Sequence, residues 1–280
     1  MSTFKRYPTS AEMEVLAALK DYHFLTVEQI MLLTGRSSLR SSQNRLKELA
    51  DAGFVLKHDR RSSNVLRPLR AAWSLTGKSK SYLEDAGMIV LPARHPRPYI
   101  LDHTLGINDV LIKARILEQT TPDVELLEWH HDRNLRRWRP ILSVVPDGFM
   151  HFAVTTPSGR HSYPILLEVD METVDRRRWQ QKVKRYVQFF TGEFQTVFHT
   201  DAATVAVVVS GTDKRVTDLK RWTEWELDRL QAKASGEVFY FTRLTDDLSA
   251  EDLFISPRSQ VAFSDTTDAL LPVQHAKLLA

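Results

Sequence analysis

Glu168-Val169-Asp170, preceded by Pro146-Asp147 and followed by Lys182 and Tyr186, is the stretch on which the fold of this 280-residue chain turns. The acidic residues lie near the ends of two apolar segments with strand character, Val144–Val154 and Tyr163–Asp170. The lysine and tyrosine lie in a basic segment of helical spacing, Thr173–Phe190. Residues two apart on a regular strand point to the same side, so Glu168 and Asp170 favour a shared site. Lys182 and Tyr186 are four apart and share a helix face. Carboxylates gathered this way can hold a hard divalent cation that polarises a phosphodiester, and a neighbouring lysine can position or deprotonate the attacking water. Each residue also has a plainer reading: Pro-Asp is common in turns, and Lys182 fits a solvated face with Lys184 and Arg185.

The flanking sequence completes a domain around this stretch. Upstream, His103–Gln119 has the apolar spacing of a helix and Val124–His130 that of a strand. Downstream come Thr204–Ser210, a helix over Asp213–Ala234 and a strand over Val238–Thr242. The run Val205-Ala-Val-Val-Val does not alternate, which predicts a strand buried on both faces in mid-sheet. The order αβββαβαβ predicts an α/β (α+β) domain over 102–245 with a mixed central sheet, and the weakly patterned residues 246–280 read as a C-terminal tail.

A different pattern precedes it. Met13, Leu16, Ala17 and Leu19 repeat with helical spacing, Thr26 can cap a second helix that Gly35 ends, and a third is expected over about Ser37 to Ala52. This third helix sets Leu39, Leu46 and Leu49 against Arg36, Arg40, Ser41, Gln43, Asn44, Arg45 and Lys47. Phe54–His58 and Arg70–Leu75 can pair as two strands around a tip carrying Arg60, Arg61 and Arg67. The whole, residues 9–90, predicts a winged helix-turn-helix. In such a unit Arg36, Arg40, Gln43, Asn44 and Arg45 face base edges in the major groove, while Arg60, Arg61 and Arg67 meet phosphates or the minor groove. A winged helix that binds protein, or only packs against its neighbour, is the alternative. Pro92, Pro96 and Pro98 mark residues 91–101 as an extended linker.

Composition narrows the chemistry. No cysteine is present, which removes disulfides, thiolate zinc sites and cysteine nucleophiles. No apolar run approaches a membrane span and the first residues lack a secretory core, so a cytoplasmic protein with no membrane partner is expected. Residues 1–100 hold 16 basic against 9 acidic residues and the remaining 180 hold 22 against 26, so the excess positive charge lies with the winged helix. There is no Gly-rich phosphate loop, no Gly-x-Ser-x-Gly and no His-Glu-x-x-His. His130 and His131 have no matching spaced histidine pair for a metal, and the basic run from His130 to Arg139 reads as a hairpin loop. Arg176-Arg-Arg-Trp-Gln-Gln-Lys-Val-Lys-Arg, the densest basic run, suits backbone phosphates, with a solvated charged helix as its plain reading.

Pro-Asp on the second strand and Glu-x-Asp on the third, within an αβββαβ order, resemble the PD-(D/E)xK nuclease superfamily. Asp170 stands where that superfamily usually has lysine, and Lys182 on the following helix is the candidate for a relocated cation. Lys182 with Tyr186 resembles the Gln-x-x-x-Tyr helix motif of related nucleases. A winged helix joined to such a domain, with His103-Thr-Leu-Gly-Ile-Asn108-Asp109 opening the first helix and Glu168-Val-Asp-Met-Glu-Thr173 before Lys182-x-x-x-Tyr186, resembles the replication-relaxation family over about residues 10–245. That family includes MobC-type relaxases of mobilisable plasmids. The resemblance implies a restriction-endonuclease-like fold in which Asp147 and Glu168 bind Mg²⁺ or Mn²⁺, Asp170 is a further ligand or positions water, and Lys182 stabilises the phosphate or activates water. It also implies double-stranded DNA as partner, with a homodimer and mobilisation or replication proteins as further partners. Metal-assisted nicking is the expected activity. The rivals are a non-catalytic regulator or accessory with an inactive nuclease-like domain, which Asp170 favours, and a protein-interaction module. Attack by Tyr186 is disfavoured, because the carboxylates already offer a water-based route.

Overall fold

The computed structural model describes residues 7–59, 71–91, 98–200 and 202–273. The chain forms two compact units, Met1–Ile112 and Lys113–Ala280.

In the first unit, helix α1 (Ser10–Tyr22) opens on a capping box in which Thr9 and Glu12 satisfy each other's backbone amides. It buries Val15, Leu16, Leu19 and Tyr22. A two-residue strand β1 (Leu25–Thr26) comes next, too short for any periodicity to reveal. Thr26 then caps α2 (Val27–Thr34) in a second box with Gln29, and Gly35 ends that helix at φ 64°, a left-handed conformation suited to glycine. Helix α3 (Leu39–Asp51) is capped by Ser38 and buries Ser42, Leu46 and Leu49. Leu39, expected on that buried side, is 43% exposed because it begins the helix and projects past the core. Strands β2 (Val55–His58) and β3 (Ala72–Leu75) pair antiparallel in the register Val55↔Leu75 to His58↔Ala72, with β1 on the other side of β3. Two helices, a recognition-type helix and this hairpin make a winged helix-turn-helix, and α4 (Gly77–Asp85), capped by Thr76, completes it.

Helix α5 (Pro98–Thr120) departs from expectation in where it starts and in which unit it serves. It starts at Pro98, a residue whose fixed φ suits the first helical turn, and so takes in the end of the expected linker. The division between units falls inside it. Buried Asn108 donates to the carbonyl oxygens of Tyr22 (3.1 Å) and Phe24 (2.6 Å), and Gln29 Nε2 donates to Leu105 O (3.0 Å) and Asp109 Oδ1 (2.7 Å). The segment expected to open the nuclease-like domain thus supplies polar groups to the winged-helix unit, where the end of α1 leaves carbonyls without a helical partner.

The second unit is built on a seven-stranded sheet. Its elements are β4 (Val124–His131), α6 (Asp132–Leu135), β5 (Gly148–Thr156), β6 (Gly159–Asp170), α7 (Arg176–Gln188), α8 (Phe194–Phe198), β7 (Thr204–Val209), α9 (Asp213–Arg229), β8 (Phe239–Arg243), α10 (Ala250–Phe254), β9 (Ser259–Val261) and β10 (Thr267–Asp268). The strand order is β10-β9-β8-β7-β6-β5-β4. β4, β5 and β6 form an antiparallel meander, with a bulge in β4 between Leu126 and Glu128. β6, β7 and β8 run parallel, and β9 and β10 return antiparallel. Ignoring the short helices, the chain order from α5 to β7 is the αβββαβ expected of a restriction-endonuclease-like domain, and the sheet is mixed. Val205 to Val209 are all buried, as an unalternating run in mid-sheet requires.

Three expectations are corrected. Strand β5 begins at Gly148, not Val144, so Asp147 lies just ahead of it. The basic segment after His131 is not a plain hairpin loop: it forms α6 and a 3₁₀ turn over Arg136–Trp138, pinned by buried Leu135. Residues 246–273 are not a tail, because β9 pairs with β8 and α10 buries Leu253 and Phe254. Helices α7 and α9 pack on one sheet face through Trp179, Val183, Tyr186, Val216, Leu219 and Leu227 against Val205, Val207, Phe239 and Phe241. Trp179 Nε1 donates to Thr223 Oγ1 (2.9 Å), which fixes the two helices in register.

Candidate functional site

Asp147, Glu168 and Asp170 gather where β5 begins and β6 ends. The Asp147 amide donates to Leu167 O (2.9 Å) and its Oδ2 accepts from the Val169 amide (2.9 Å), so the residue continues the β5–β6 ladder beyond Gly148. Glu168 is 1% exposed beneath α7. Both of its oxygens are engaged: Oε2 by the Lys182 ammonium and Oε1 by the Tyr186 hydroxyl, one helical turn apart on α7. Asp170 accepts a fork from Arg215 on α9, Nε to Oδ2 at 2.7 Å and Nη2 to Oδ1 at 3.1 Å. Arg215 Nη2 also donates to Val174 O (2.6 Å), and its guanidinium lies 5.0 Å from the Trp222 ring centroid.

The electrostatics tie these groups into one cluster. Burial pushes the Glu168 carboxyl up to about 8; the Lys182 charge pulls against it and the Asp147 charge adds to it. Burial alone would lower Lys182, but the negative charges of Asp147, Glu168 and Asp170 outweigh it and hold the ammonium above its ordinary range. Tyr186 lies well above the usual phenol range, through burial and the adjacent Glu168. Beside them, buried His131 pairs through Nδ1 with Asp132 Oδ1 at 2.5 Å. Burial would raise the Asp132 carboxyl, yet His131 and Arg136 together hold it low.

This arrangement decides how well a divalent ion fits. The oxygens that would bind it carry cations and donors from the chain itself, and among the described residues no three or more His, Asp or Glu side chains are arranged to hold a metal. With its carboxylates placed this way, the set does not fit a resident Mg²⁺ or Mn²⁺. His130, the other histidine weighed as a ligand, bonds Glu128 (2.7 Å) and stacks on Phe149.

Sequence reasoning missed Arg215. One signal could have found it: Arg215 is in the first turn of α9, where the helix dipole disfavours a cation, so a carboxylate partner elsewhere is called for.

In the winged helix, Arg40, Ser41, Gln43, Asn44 and Lys47 are exposed on α3. Ser38, Arg40, Ser41, Asn44, Arg45 and Glu48 line an open concavity of about 430 Å³. Arg45 is half-buried, and Arg36 is turned away from this face toward Glu14 (2.7 Å). Arg60, Arg61 and Arg67 lie outside the described residues. No helix among the described residues is long and apolar enough to cross a membrane.

The chain is similar to a MarR family transcriptional regulator from Silicibacter pomeroyi DSS, at 20% identity over 40% of this chain and 72% of that one, with a TM-score of 0.25. It is also similar to Bacillus subtilis PadR in complex with operator DNA, at 12% identity over 82% of this chain and 97% of that one, with a TM-score of 0.25. No curated protein matches. The profile described as replication-relaxation matches residues 16–202, from α1 through α8, and this span holds Asp147, Glu168, Asp170, Lys182 and Tyr186. With both units represented in that match, the chain belongs to the replication-relaxation family.

Proposed function

We propose that this protein binds double-stranded DNA through its winged helix, at a replication or mobilisation site, and that its nuclease-like unit keeps Glu168 and Asp170 engaged by Lys182, Tyr186 and Arg215 instead of around a metal. The observation that carries the first half is the exposed face of α3, where Arg40, Gln43, Asn44 and Lys47 stand clear of the core. Arginine matches the acceptors of guanine, and glutamine or asparagine the donor–acceptor edge of adenine. The test is binding to duplexes tiled across candidate origins. Alanine at Arg40, Gln43 or Asn44 should relax sequence preference, each base contact contributing about 1–3 kcal/mol of discrimination. Neutralising Arg60 and Arg61 should weaken binding to every duplex and lower its salt dependence. Unchanged affinity and preference in all of these variants would sink the reading.

The second half rests on the engagement of Glu168 by Lys182 and Tyr186 and of Asp170 by Arg215. One observation favours a second reading, metal-assisted nicking: Asp147, Glu168 and Lys182 are still gathered at the strand ends, as in an active nuclease of this fold. Incubating supercoiled origin DNA with the protein and Mg²⁺ or Mn²⁺ separates the two. The expected result is no open circles; open circles that vanish in Glu168→Gln would establish nicking.

A further inference from the structure

Trp225 is 49% exposed on α9, although indole is among the side chains that gain most from burial. Two guanidiniums lie near its ring: Arg176, from the first turn of α7, is 5.0 Å from the centroid, and Arg229, one turn further along α9 and paired with Glu226, is 6.0 Å away. Arg221, one turn earlier, is exposed on the same helical row. The three residues therefore make a stripe of cation, indole and cation on α9, with α7 adding Arg176 and exposed Arg177 beside it. Among the described residues, Arg176 and Arg177 have no ion-pair partner. Both also stand in the first turn of a helix, where the dipole disfavours positive charge. Helix stability gives no reason for them, so their reason lies outside the helix.

From this juxtaposition we infer that the α7–α9 surface of the second unit binds an unpaired DNA strand, a base stacking on Trp225 and phosphates meeting Arg176 and Arg221. The indole distinguishes a single strand from a duplex. Every unpaired base offers a free face for stacking, whereas in a duplex those faces are covered by the neighbouring pairs. The arginines supply the charge such a strand requires. The surface is independent of the winged helix, and α9 lies beyond the residues matched by the family profile.

Fluorescence anisotropy with the full chain tests this, using labelled oligothymidylate at low salt and, in parallel, a blunt duplex. Trp225→Ala should weaken oligothymidylate binding roughly 5- to 100-fold, the range for loss of one stacked base. Trp225→Phe should retain most of the affinity, and duplex binding should stay unchanged in both. Arg176→Ala with Arg221→Ala should weaken strand binding and flatten its salt dependence. The thermal midpoint of Trp225→Ala reports whether the chain still folds. Absent oligothymidylate binding by the wild type, unchanged affinity in folded Trp225→Ala, or equal losses on strand and duplex would each overturn the inference. Failure of duplex binding with strand binding intact would count against the winged-helix reading alone.

Discussion

A carboxyl sealed beneath a helix keeps its proton to a higher pH than one in water, and in Glu168 this couples protonation to stability. Its ordinary value of 4.5 rises to about 8 in the folded chain. Between those values the folded state holds a proton that the unfolded state releases, so stability is greatest at the acidic end of the window and falls as pH rises through it. Lys182, also raised, keeps its contribution across this window and loses it only at far higher pH, as pH climbs from the ordinary value of 10.5 through its folded value. Unfolding in urea from about pH 5 to about pH 8 should show a decline of a few kcal/mol in the wild type, flattened in Glu168→Gln. Equal slopes would rule out Glu168 as the source. Asp170 makes a different prediction. Arg215→Ala leaves a carboxylate 5% exposed without its fork and should cost about 3–5 kcal/mol, and Arg215→Lys should restore only part, because an ammonium cannot make two parallel bonds. The urea midpoint reads both. Glu168, Lys182 and Tyr186 were legible in the sequence because alternation along a strand and spacing along a helix are local rules. Arg215 was not, since its pairing with Asp170 arises only when the first turn of α9 meets the end of β6 in the folded unit, and no local spacing encodes that.

Among the elements, boundaries were legible where a side chain enforces them. Thr26 and Gly35 bracket α2 as expected, and the sharp turn from α2 to α3 depends on the left-handed residue between them. Gly35→Ala should therefore lower stability by about 1 kcal/mol, seen as a fall in thermal midpoint, even though a Cβ there meets nothing within 4 Å. An unchanged midpoint would show that the turn relaxes freely. Elements set by tertiary pairing were less legible. β1 exists only because Leu25 and Thr26 lie against Trp73 and Ala72. The end of α7 widens into a π turn over Phe189–Glu193, with Gly192 at φ 155°. There Phe189, Phe194 and Phe198 cluster, an arrangement of rings that no helical period announces.

For the whole molecule, the winged helix and the mixed sheet were both legible, the first from charge and amide residues on one helix, the second from an unalternating valine strand. The segment after Thr245 was not, because β9 and β10 have three and two residues and gain their order by adding to a sheet already formed. A chain ending at Thr245 should leave β8 as an open border and uncover the core beneath α10. We expect it to run as large aggregates in size-exclusion chromatography; a well-behaved species of the size of a folded chain would show that the last strands are dispensable. The opposite border is β4. Its backbone kinks at the Leu126/Glu128 bulge, and Glu125 and Glu128 project into solvent along it. A strand from a neighbouring copy would find no straight rail of amides there, so the bulge guards the sheet against growing into fibres where many copies crowd together.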